Sequence, residues 1–198
     1  MAIEQEIEFK QLLTLSQYED FKASYFTNAE PKTQVNYYID TPDFQIQSQK
    51  MALRIRVKDG KPNEMTLKVP LSVGLNEYNF ETSIEPAEGL RIDENHIPSD
   101  ILNVLQKNHI SVKSLKVLGA LKTVRYEKVL EDGLLVLDHS LYLGKEDFEL
   151  EFEVKDYDKG KQAFETLLNQ FQLIHTEPKN KVRRFFEYQA FLNQRKHK

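Results

Sequence analysis

Most of the chain alternates between hydrophobic and polar residues with a period of two, which is typical of strands that bury one face. Such alternation covers eight segments: residues 3–10, 35–39, 53–58, 64–69, 77–84, 123–129, 134–141 and 148–154. Asp59-Gly60 follows the third segment, and Glu131-Asp132-Gly133 separates the sixth from the seventh. Because both sequences are typical of tight turns, the pattern predicts a mostly antiparallel sheet.

Four further segments carry hydrophobic residues at helical spacing. They are residues 15–26, 99–107, 157–171 and 182–196. We expect Ser16 to cap the first helix, and the start of the last segment is equally consistent with a strand. Since no repeat and no linker rich in proline or serine divides the chain, residues 1–198 are predicted to form a single α+β domain.

The polar faces of the predicted strands are sorted by charge. Acidic residues recur at every second position, at Glu6, Glu8, Glu149, Glu151 and Glu153. Basic residues do the same at Arg54, Arg56 and Lys58. Side chains two residues apart on a strand lie about 6.5–7 Å from each other on one face. Like charges so close together destabilise a sheet, so the sorting calls for an explanation.

Two interpretations of these faces remain open at this point. Charged runs are usually solvated surfaces, and the sheet then packs its hydrophobic side against the helices. Alternatively, the sheet closes into a barrel with its charged faces inward. Since burying so many ions without partners is prohibitive, such an interior makes sense as a wet cavity that receives ions of both signs.

Composition narrows the possible functions. The 198 residues include 31 acidic and 27 basic side chains, a net charge of −4, which excludes a general polyanion or nucleic-acid binder held by excess positive charge. The absence of cysteine excludes disulfides, a thiolate nucleophile and cysteine-ligated zinc. No stretch approaches the roughly 18 apolar residues of a membrane span, so we expect a cytoplasmic protein without a membrane partner.

The segregated charges also suggest a ligand. Clustered carboxylates favour divalent cations with oxygen ligands, Mg²⁺ or Mn²⁺. Clustered arginine and lysine side chains favour phosphate. Both sets in one cavity describe a metal–polyphosphate site. Neither a Walker motif nor a GxGxxG motif occurs among the seven glycines, which argues against P-loop and Rossmann nucleotide sites.

A series of short motifs resembles a known family. Glu6-Ile7-Glu8-Phe9-Lys10 is similar to the N-terminal ExExK signature of the CYTH superfamily, also called triphosphate tunnel metalloenzymes. The motifs that follow in the family's order are Tyr37-Tyr38-Ile39-Asp40-Thr41-Pro42, Leu53-Arg54-Ile55-Arg56, Thr66-Leu67-Lys68, an acidic strand around Glu81, Arg125, Leu137-Asp138, Glu149-Leu150-Glu151 and Asn180-Lys181. Within the family, the chain most resembles short stand-alone proteins of Gram-positive bacteria described as triphosphatases or adenylate cyclases.

The resemblance implies a closed antiparallel eight-stranded β-barrel, the triphosphate tunnel, with helices outside. It implies a set of metal ligands: Glu6, Glu8, Asp138, Glu149 and Glu151. It implies a set of bases that bind the phosphates: Lys10, Arg54, Arg56, Lys68, Arg125 and Lys181. Arg184 joins the second set on the spacing of this sequence. Catalytic roles would fall to Glu6, Glu8, Lys10 and Glu81. The sequence departs from the family at Asn79, where an acid is usual, and Glu77 is a candidate to compensate.

The resulting expectation is a metal-dependent hydrolase of a small triphosphate. Inorganic triphosphate is the first candidate substrate, and nucleoside or thiamine triphosphate is the next. Two alternatives stay open: a class-four type of adenylate cyclase that makes cyclic AMP from ATP, and a non-catalytic binder of polyphosphate or nucleotide. The sequence leaves the oligomeric state open between monomer and homodimer.

Overall fold

The computed structural model describes residues 2–196. The strands are β1 (Ala2–Leu13), β2 (Lys32–Asp40), β3 (Ala52–Lys58), β4 (Asn63–Pro70), β5 (Leu75–Thr82), β6 (Lys116–Val129), β7 (Gly133–Tyr142) and β8 (Lys145–Val154). The α-helices are α1 (Leu15–Tyr25), α2 (Gln45–Ser48), α3 (Ser99–Lys107), α4 (Tyr157–Gln170) and α5 (Lys181–Lys196). Short 3₁₀ turns occur at Glu94–His96 and Val112–Ser114.

The eight strands form a closed barrel in the order β1-β5-β4-β3-β2-β6-β7-β8. The strands pair antiparallel where the register is defined, for example in β7 with β8 and in β3 with β4. The predicted fold class, an α+β protein with a closed antiparallel eight-stranded barrel and flanking helices, is confirmed. No helix within residues 2–196 combines the length and the apolar character needed to cross a membrane.

The helix predictions hold with small shifts at the ends. The predicted bounds of α3 are those observed, and the last segment is helical from Lys181 onward rather than strand. The predicted cap of α1 was wrong, because Thr14 rather than Ser16 caps it. The backbone N–H of Gln17 donates to Thr14 Oγ1 over 3.3 Å, and Oε1 of Gln17 accepts from the backbone N–H of Thr14 over 2.8 Å. This reciprocal pair satisfies two N–H groups that the helix leaves free.

Contacts within the chain divide it into two compact units. Unit 1 combines the first residues, up to Gln5, with Gln34–Lys122. Unit 2 combines Glu6–Thr33 with the chain from Thr123 onward. The prediction of one domain over residues 1–198 stays a prediction.

The core of unit 1 lies between α3 and one face of strands β3 and β4. Ile101 and Leu105 of α3 are fully buried in a cluster with Leu53, Ile55 and Met65. These strand residues alternate with the charged ones, because successive side chains on a strand point to opposite faces. The helix therefore covers the hydrophobic face and leaves Arg54 and Arg56 on the other.

The core of unit 2 is built in the same way and is rich in aromatic rings. Phe9 of β1 and Phe152 of β8 pack against Phe164 of α4, with ring centroids 5.9 and 6.3 Å away. Phe21 of α1 stacks on Phe171 at 3.9 Å. Because α1 and α4 cover this face of β8, its acidic residues lie on the opposite face.

The buried Tyr18 of α1 should make the stability of the protein depend on pH. Its side chain is 4% exposed, and burial raises its pKa to about 12. The folded state therefore holds the phenol proton more tightly than the unfolded state, in which the pKa is 10.0. The stabilisation is complete below pH 10 and is lost as the pH rises through about 12.

We expect the free energy of unfolding of the wild type to fall more steeply over this alkaline range than that of Tyr18→Phe. Urea titrations of both proteins at a series of pH values measure the difference. Tyr157→Phe serves as the control, because the Tyr157 side chain is exposed. Equal slopes for wild type and Tyr18→Phe would contradict the prediction.

Candidate functional site

Three carboxylates of unit 2 lie together on the face of β7 and β8 opposite α1 and α4. Asp138 of β7 stands directly opposite Glu149 of β8, and Glu151 follows two residues later on the same face. We call Asp138, Glu149 and Glu151 the carboxylate cluster. All three are buried, with exposed fractions of 0%, 1% and 4%. The structure therefore brings together three of the five predicted metal ligands.

Lys181, the first residue of α5, lies at the centre of the carboxylate cluster. Its Nζ is 2.8 Å from Asp138 Oδ2 and donates hydrogen bonds to Glu149 Oε1 and Glu151 Oε1. Burial would lower the pKa of Lys181, but the three carboxylates raise it well above the usual range. The ammonium is therefore charged and contacts one oxygen of each of the three carboxyl groups.

Two arginines complete the surroundings of the carboxylate cluster. Arg125 of β6 makes a bidentate contact with Asp138: its Nε donates to Oδ1 over 2.8 Å and its Nη2 donates to Oδ2 over 2.7 Å. The same Nη2 lies 2.8 Å from Glu151 Oε2. Arg184 of α5 donates from Nη1 to Glu149 Oε2 over 2.7 Å. Fork-like contacts of this kind are the strong, charge-assisted class of hydrogen bond.

Burial and the neighbouring cations have opposite effects on Glu149 and Glu151, and the outcome differs between the two. Burial alone would raise the pKa of Glu151, but Lys181 and Arg125 lower it well below its usual range. Burial raises the pKa of Glu149 even though Lys181 and Arg184 oppose the shift. The buried acids are thus stabilised by basic side chains of the protein itself, as buried charges must be.

The N-terminal residues of the predicted site lie along β1. Lys10 stands opposite Glu151 in the pairing of β1 with β8, and its Nζ is 2.5 Å from Glu8 Oε1. Burial would lower the pKa of Lys10, but Glu8, Glu151 and Glu149 raise it above its usual range. Glu6 and Glu8 are half-buried at alternate positions of the same strand. The structure therefore places Lys10 beside the carboxylate cluster and continues the acidic face through Glu8 to Glu6.

Sequence reasoning missed Asp147, which binds Arg184, and Tyr142, which binds Asp147. Tyr142 Oη donates to Asp147 Oδ2 over 2.5 Å, and Arg184 Nε donates to the same oxygen over 3.0 Å. Both residues fell outside the predicted strands, because β7 runs one residue further than predicted and β8 begins three residues earlier. The available signal was the alternation, since Asp147 precedes Glu149 by two residues on the same face.

A second charged group lies on the helix-free face of unit 1. Lys68 of β4 and Glu77 of β5 are paired in register, and Lys68 Nζ lies 2.6 Å from Glu77 Oε1. Arg54 Nη2 lies 3.8 Å from the same oxygen. Arg56 Nε donates to Asn36 Oδ1 over 3.0 Å. We call Arg54, Arg56 and Lys68 the basic face; all three are predicted phosphate ligands.

Arg54 retains hydrogen-bonding capacity. Its Nε is buried, and among the described residues it is the one buried side-chain polar atom without a hydrogen-bond partner. A buried donor left unsatisfied costs about 1–3 kcal/mol. The atom therefore marks a position where an acceptor from a ligand would be favourable.

Asn79 and Glu81 differ in their surroundings. Asn79 accepts from Thr66 Oγ1 over 2.8 Å and donates to Glu77 Oε2 over 3.1 Å, so the amide positions Glu77 beside Lys68. Glu81 is exposed at the end of β5, opposite Glu64. Glu77, rather than Glu81, is the acid that the structure groups with Lys68 and Arg54.

The donor chemistry of the carboxylate cluster suits Mg²⁺ or Mn²⁺, which prefer oxygen ligands. As arranged here, however, no three acidic or histidine side chains within residues 2–196 form a group ready to hold a metal ion. The Lys181 ammonium, bonded to all three carboxylates, marks the place where a cation is favoured. These carboxylates are the side chains of unit 2 that would hold a divalent cation, at the position that Lys181 takes.

Comparisons with known proteins show the family of the chain. The model of the CYTH domain family matches residues 4–186. The putative triphosphatase YjbK of Bacillus subtilis is 42% identical over 189 residues, which are 94% of this chain and 97% of that protein.

Solved structures show the same fold. A putative adenylate cyclase from Bacillus halodurans has a TM-score of 0.83 and 37% identity, covering 94% of this chain and 100% of its own. The putative adenylyl cyclase HpAC1 from Hippeastrum, which reveals a dominant triphosphatase activity, has a TM-score of 0.71 and covers 92% of this chain and 95% of its own. At 21% identity, HpAC1 supports the shared fold alone.

The resemblance inferred from the ExExK signature and the ordered motifs is thus confirmed on independent grounds. The matched region contains every residue of the carboxylate cluster and of the basic face. The chain belongs to the CYTH domain family.

Proposed function

We propose that this protein hydrolyses a triphosphate with the help of a divalent metal ion, Mg²⁺ or Mn²⁺. The observation that carries the proposal is the carboxylate cluster of unit 2, in which three buried acids share Lys181, Arg125 and Arg184. Burying acidic and basic side chains together carries a desolvation penalty and is not needed for stability. The same side chains can bind a metal ion and phosphate oxygens. The triphosphatase name of the relative YjbK supports the same activity.

The residues divide into two roles under this proposal. Asp138, Glu149 and Glu151, continued by Glu8 and Glu6 on β1, would hold the metal. When bound, the metal would neutralise phosphate oxygens and lower the pKa of a coordinated water. Phosphoryl transfer depends on positioning and charge stabilisation more than on a protein nucleophile, so a chain without cysteine is suited to it.

The basic residues would bind the phosphates. Arg125 and Arg184 present guanidinium groups, which can engage phosphate with two parallel hydrogen bonds, and Lys10 and Lys181 add ammonium groups. In unit 1, the free Nε–H of Arg54 offers a donor without breaking an existing bond. Asn79 lacks the charge of the usual acid, and we assign to Glu77 the catalytic role that the family resemblance implies for Glu81.

Inorganic triphosphate is the proposed first substrate, with nucleoside and thiamine triphosphates next, because the charged residues address the phosphate chain alone. Release of orthophosphate from each compound, with Mg²⁺, with Mn²⁺ and with a chelator, tests the proposal. We expect metal-dependent release from at least inorganic triphosphate. If none of the three compounds yields phosphate with either metal, the proposal is wrong. We also propose that the protein is cytoplasmic, as expected from the sequence.

A cyclase activity is the second candidate, because the relative from Bacillus halodurans is described as an adenylate cyclase at 37% identity. The same reactions with ATP separate the candidates. Cyclic AMP with pyrophosphate would favour the cyclase, whereas orthophosphate would favour the hydrolase. Stabilisation by triphosphate without any turnover would instead favour the binding protein.

Arg54 and Lys68 make different predictions although both belong to the basic face. Arg54→Met should weaken binding of inorganic triphosphate by about tenfold or more, because charge-assisted hydrogen bonds are lost. The melting temperature of the ligand-free protein should stay close to that of the wild type, since Arg54 lies 3.8 Å from Glu77 and its Nε has no partner to lose.

Lys68→Met should weaken binding similarly but should also lower the melting temperature of the ligand-free protein, because Lys68 holds Glu77 at 2.6 Å. Thermal unfolding with and without triphosphate measures both effects. Lys61→Met, a change at the exposed turn after β3, is the control. A normal ligand-induced shift in Arg54→Met would remove Arg54 from the binding site.

Asp147 should act by positioning Arg184. Asp147→Asn removes the charge that holds Arg184 Nε and the Tyr142 hydroxyl, so we expect kcat/KM to fall by about tenfold, mainly through a higher KM. Asp147→Glu should recover part of the loss, because the charge returns. If kcat fell while KM stayed constant in Asp147→Asn, a positioning role in substrate binding would be contradicted.

A further inference from the structure

We propose that Lys181 is an internal counter-cation of the carboxylate cluster and that its ammonium and a divalent metal ion exclude one another there. The inference rests on the proposed function in that it assumes a metal ligand role for these acids. It goes further because it assigns to Lys181 a state in which it holds no phosphate and keeps the metal position filled.

The geometry of the ammonium supports this role. An ammonium has three N–H donors and no acceptor. Lys181 contacts one oxygen of each of three carboxylates, Asp138, Glu149 and Glu151. All of its donors are therefore committed, and none remains for a phosphate oxygen. Lys181 can donate to phosphate only after it leaves the carboxylates.

The same geometry restricts the metal. The oxygens that face Lys181 are those that would have to converge on a cation at this point, and two cations cannot share it. Arg125 contacts both oxygens of Asp138, including the Oδ2 that also faces Lys181, and it contacts Glu151 at Oε2. Arg184 contacts Glu149 at Oε2, the oxygen that Lys181 does not contact. They can keep these contacts when Lys181 leaves, so the carboxylates would not lose all their partners.

The position of Lys181 in the chain makes such a departure feasible. It is the first residue of α5 and follows residues 173–180, which have no regular secondary structure. A lysine carries its charge on a flexible four-carbon stem, whereas the guanidinium of Arg125 is fixed by a two-point contact. Lys181 is thus the movable cation of the group.

Mn²⁺ binding without any substrate tests the proposal, with free Mn²⁺ measured by its electron paramagnetic resonance signal. Lys181→Met should bind Mn²⁺ at least about tenfold more tightly than the wild type, because it removes a competing unit charge from the carboxylates. Lys179→Met is the matched control, since Lys179 carries the same charge two residues earlier but pairs with the exposed Glu187. Equal affinities of Lys181→Met and Lys179→Met would overturn the proposal.

A measurement on the wild type covers the case in which Lys181→Met does not fold. Acetylation of lysine amines, followed by mass spectrometry, reports how accessible and how firmly protonated each ammonium is. Saturating Mn²⁺ should accelerate acetylation of Lys181 severalfold and leave Lys179 unchanged. If Mn²⁺ binds and the acetylation rate of Lys181 does not change, the proposal is overturned. Absence of Mn²⁺ binding in both the wild type and Lys181→Met would also overturn it.

The two proposals can fail separately. Metal-dependent phosphate release without any response of Lys181 to Mn²⁺ would leave the proposed function standing and remove this inference. Release of Lys181 by Mn²⁺ without hydrolysis of any triphosphate would leave this inference standing and remove the proposed function.

Discussion

Arg125→Met is expected to reduce kcat/KM for inorganic triphosphate by about 10²–10³-fold, the loss typical of removing one preorganised group that stabilises transition-state charge. The variant should also be less stable by about 3–5 kcal/mol, because it breaks a buried ion pair from one side. Arg125 is the partner of both Asp138 and Glu151, and its loss leaves Lys181 to neutralise them with less help.

Phosphate release and urea unfolding measure the two effects of Arg125→Met. Arg183→Met is the control, because Arg183 is exposed and pairs with Glu187 on the surface of α5. The control should keep full activity and change stability by less than about 0.5 kcal/mol. Near-normal stability of Arg125→Met would contradict the view that its pairing with Asp138 and Glu151 supports the fold.

Replacing both Arg125 and Asp138 should separate the effect of this ion pair on stability from its effect on activity. Adding Asp138→Leu to Arg125→Met should restore at least half of the stability that Arg125→Met loses, while kcat/KM stays at least as low as in Arg125→Met. Replacing both members of a buried ion pair by hydrophobic residues is often neutral or stabilising, whereas removing one member strands the other. Glu149 and Glu151 still hold Lys181 in the double variant, so the ammonium keeps two of its three partners.

A double-mutant cycle measures this coupling from the unfolding free energies of the wild type, the two single variants and the double variant. We expect each single variant to be less stable than the double variant. If the losses simply add, Asp138 and Arg125 do not depend on each other, and the charge pairing at this position has been assigned incorrectly.

Much of the fold and of the site could be predicted from the sequence because strands have a simple period. Alternation located the eight strands, and it also placed Asp138, Glu149 and Glu151 on the face opposite the hydrophobic residues of their strands. The tight turns predicted antiparallel pairing, whereas closure of the barrel came from the family motifs, since nothing in the alternation of one strand specifies its neighbour. The residues at strand ends were harder: Tyr142 and Asp147 were missed because polar turn residues mask where pairing stops.

The partners of each charge could not be predicted. Lys179 and Lys181 are two residues apart in the sequence, yet one reaches the surface acid Glu187 and the other the buried carboxylates. That difference depends on where α5 begins, which the sequence left open between helix and strand. Likewise, Glu77 and Glu81 alternate on one strand, and only pairing with Lys68 separates the grouped acid from the exposed one.

Unit 2 is assembled from both ends of the chain, and this has a consequence for biosynthesis. Asp138, Glu149 and Glu151 leave the ribosome before Lys181 and Arg184, because translation proceeds from the N-terminus at about 5–20 residues per second. During that interval Asp138 and Glu151 already have Arg125 as a partner, but Lys181 and Arg184 are still missing. We therefore expect unit 2 to complete its folding only after α5 has been made.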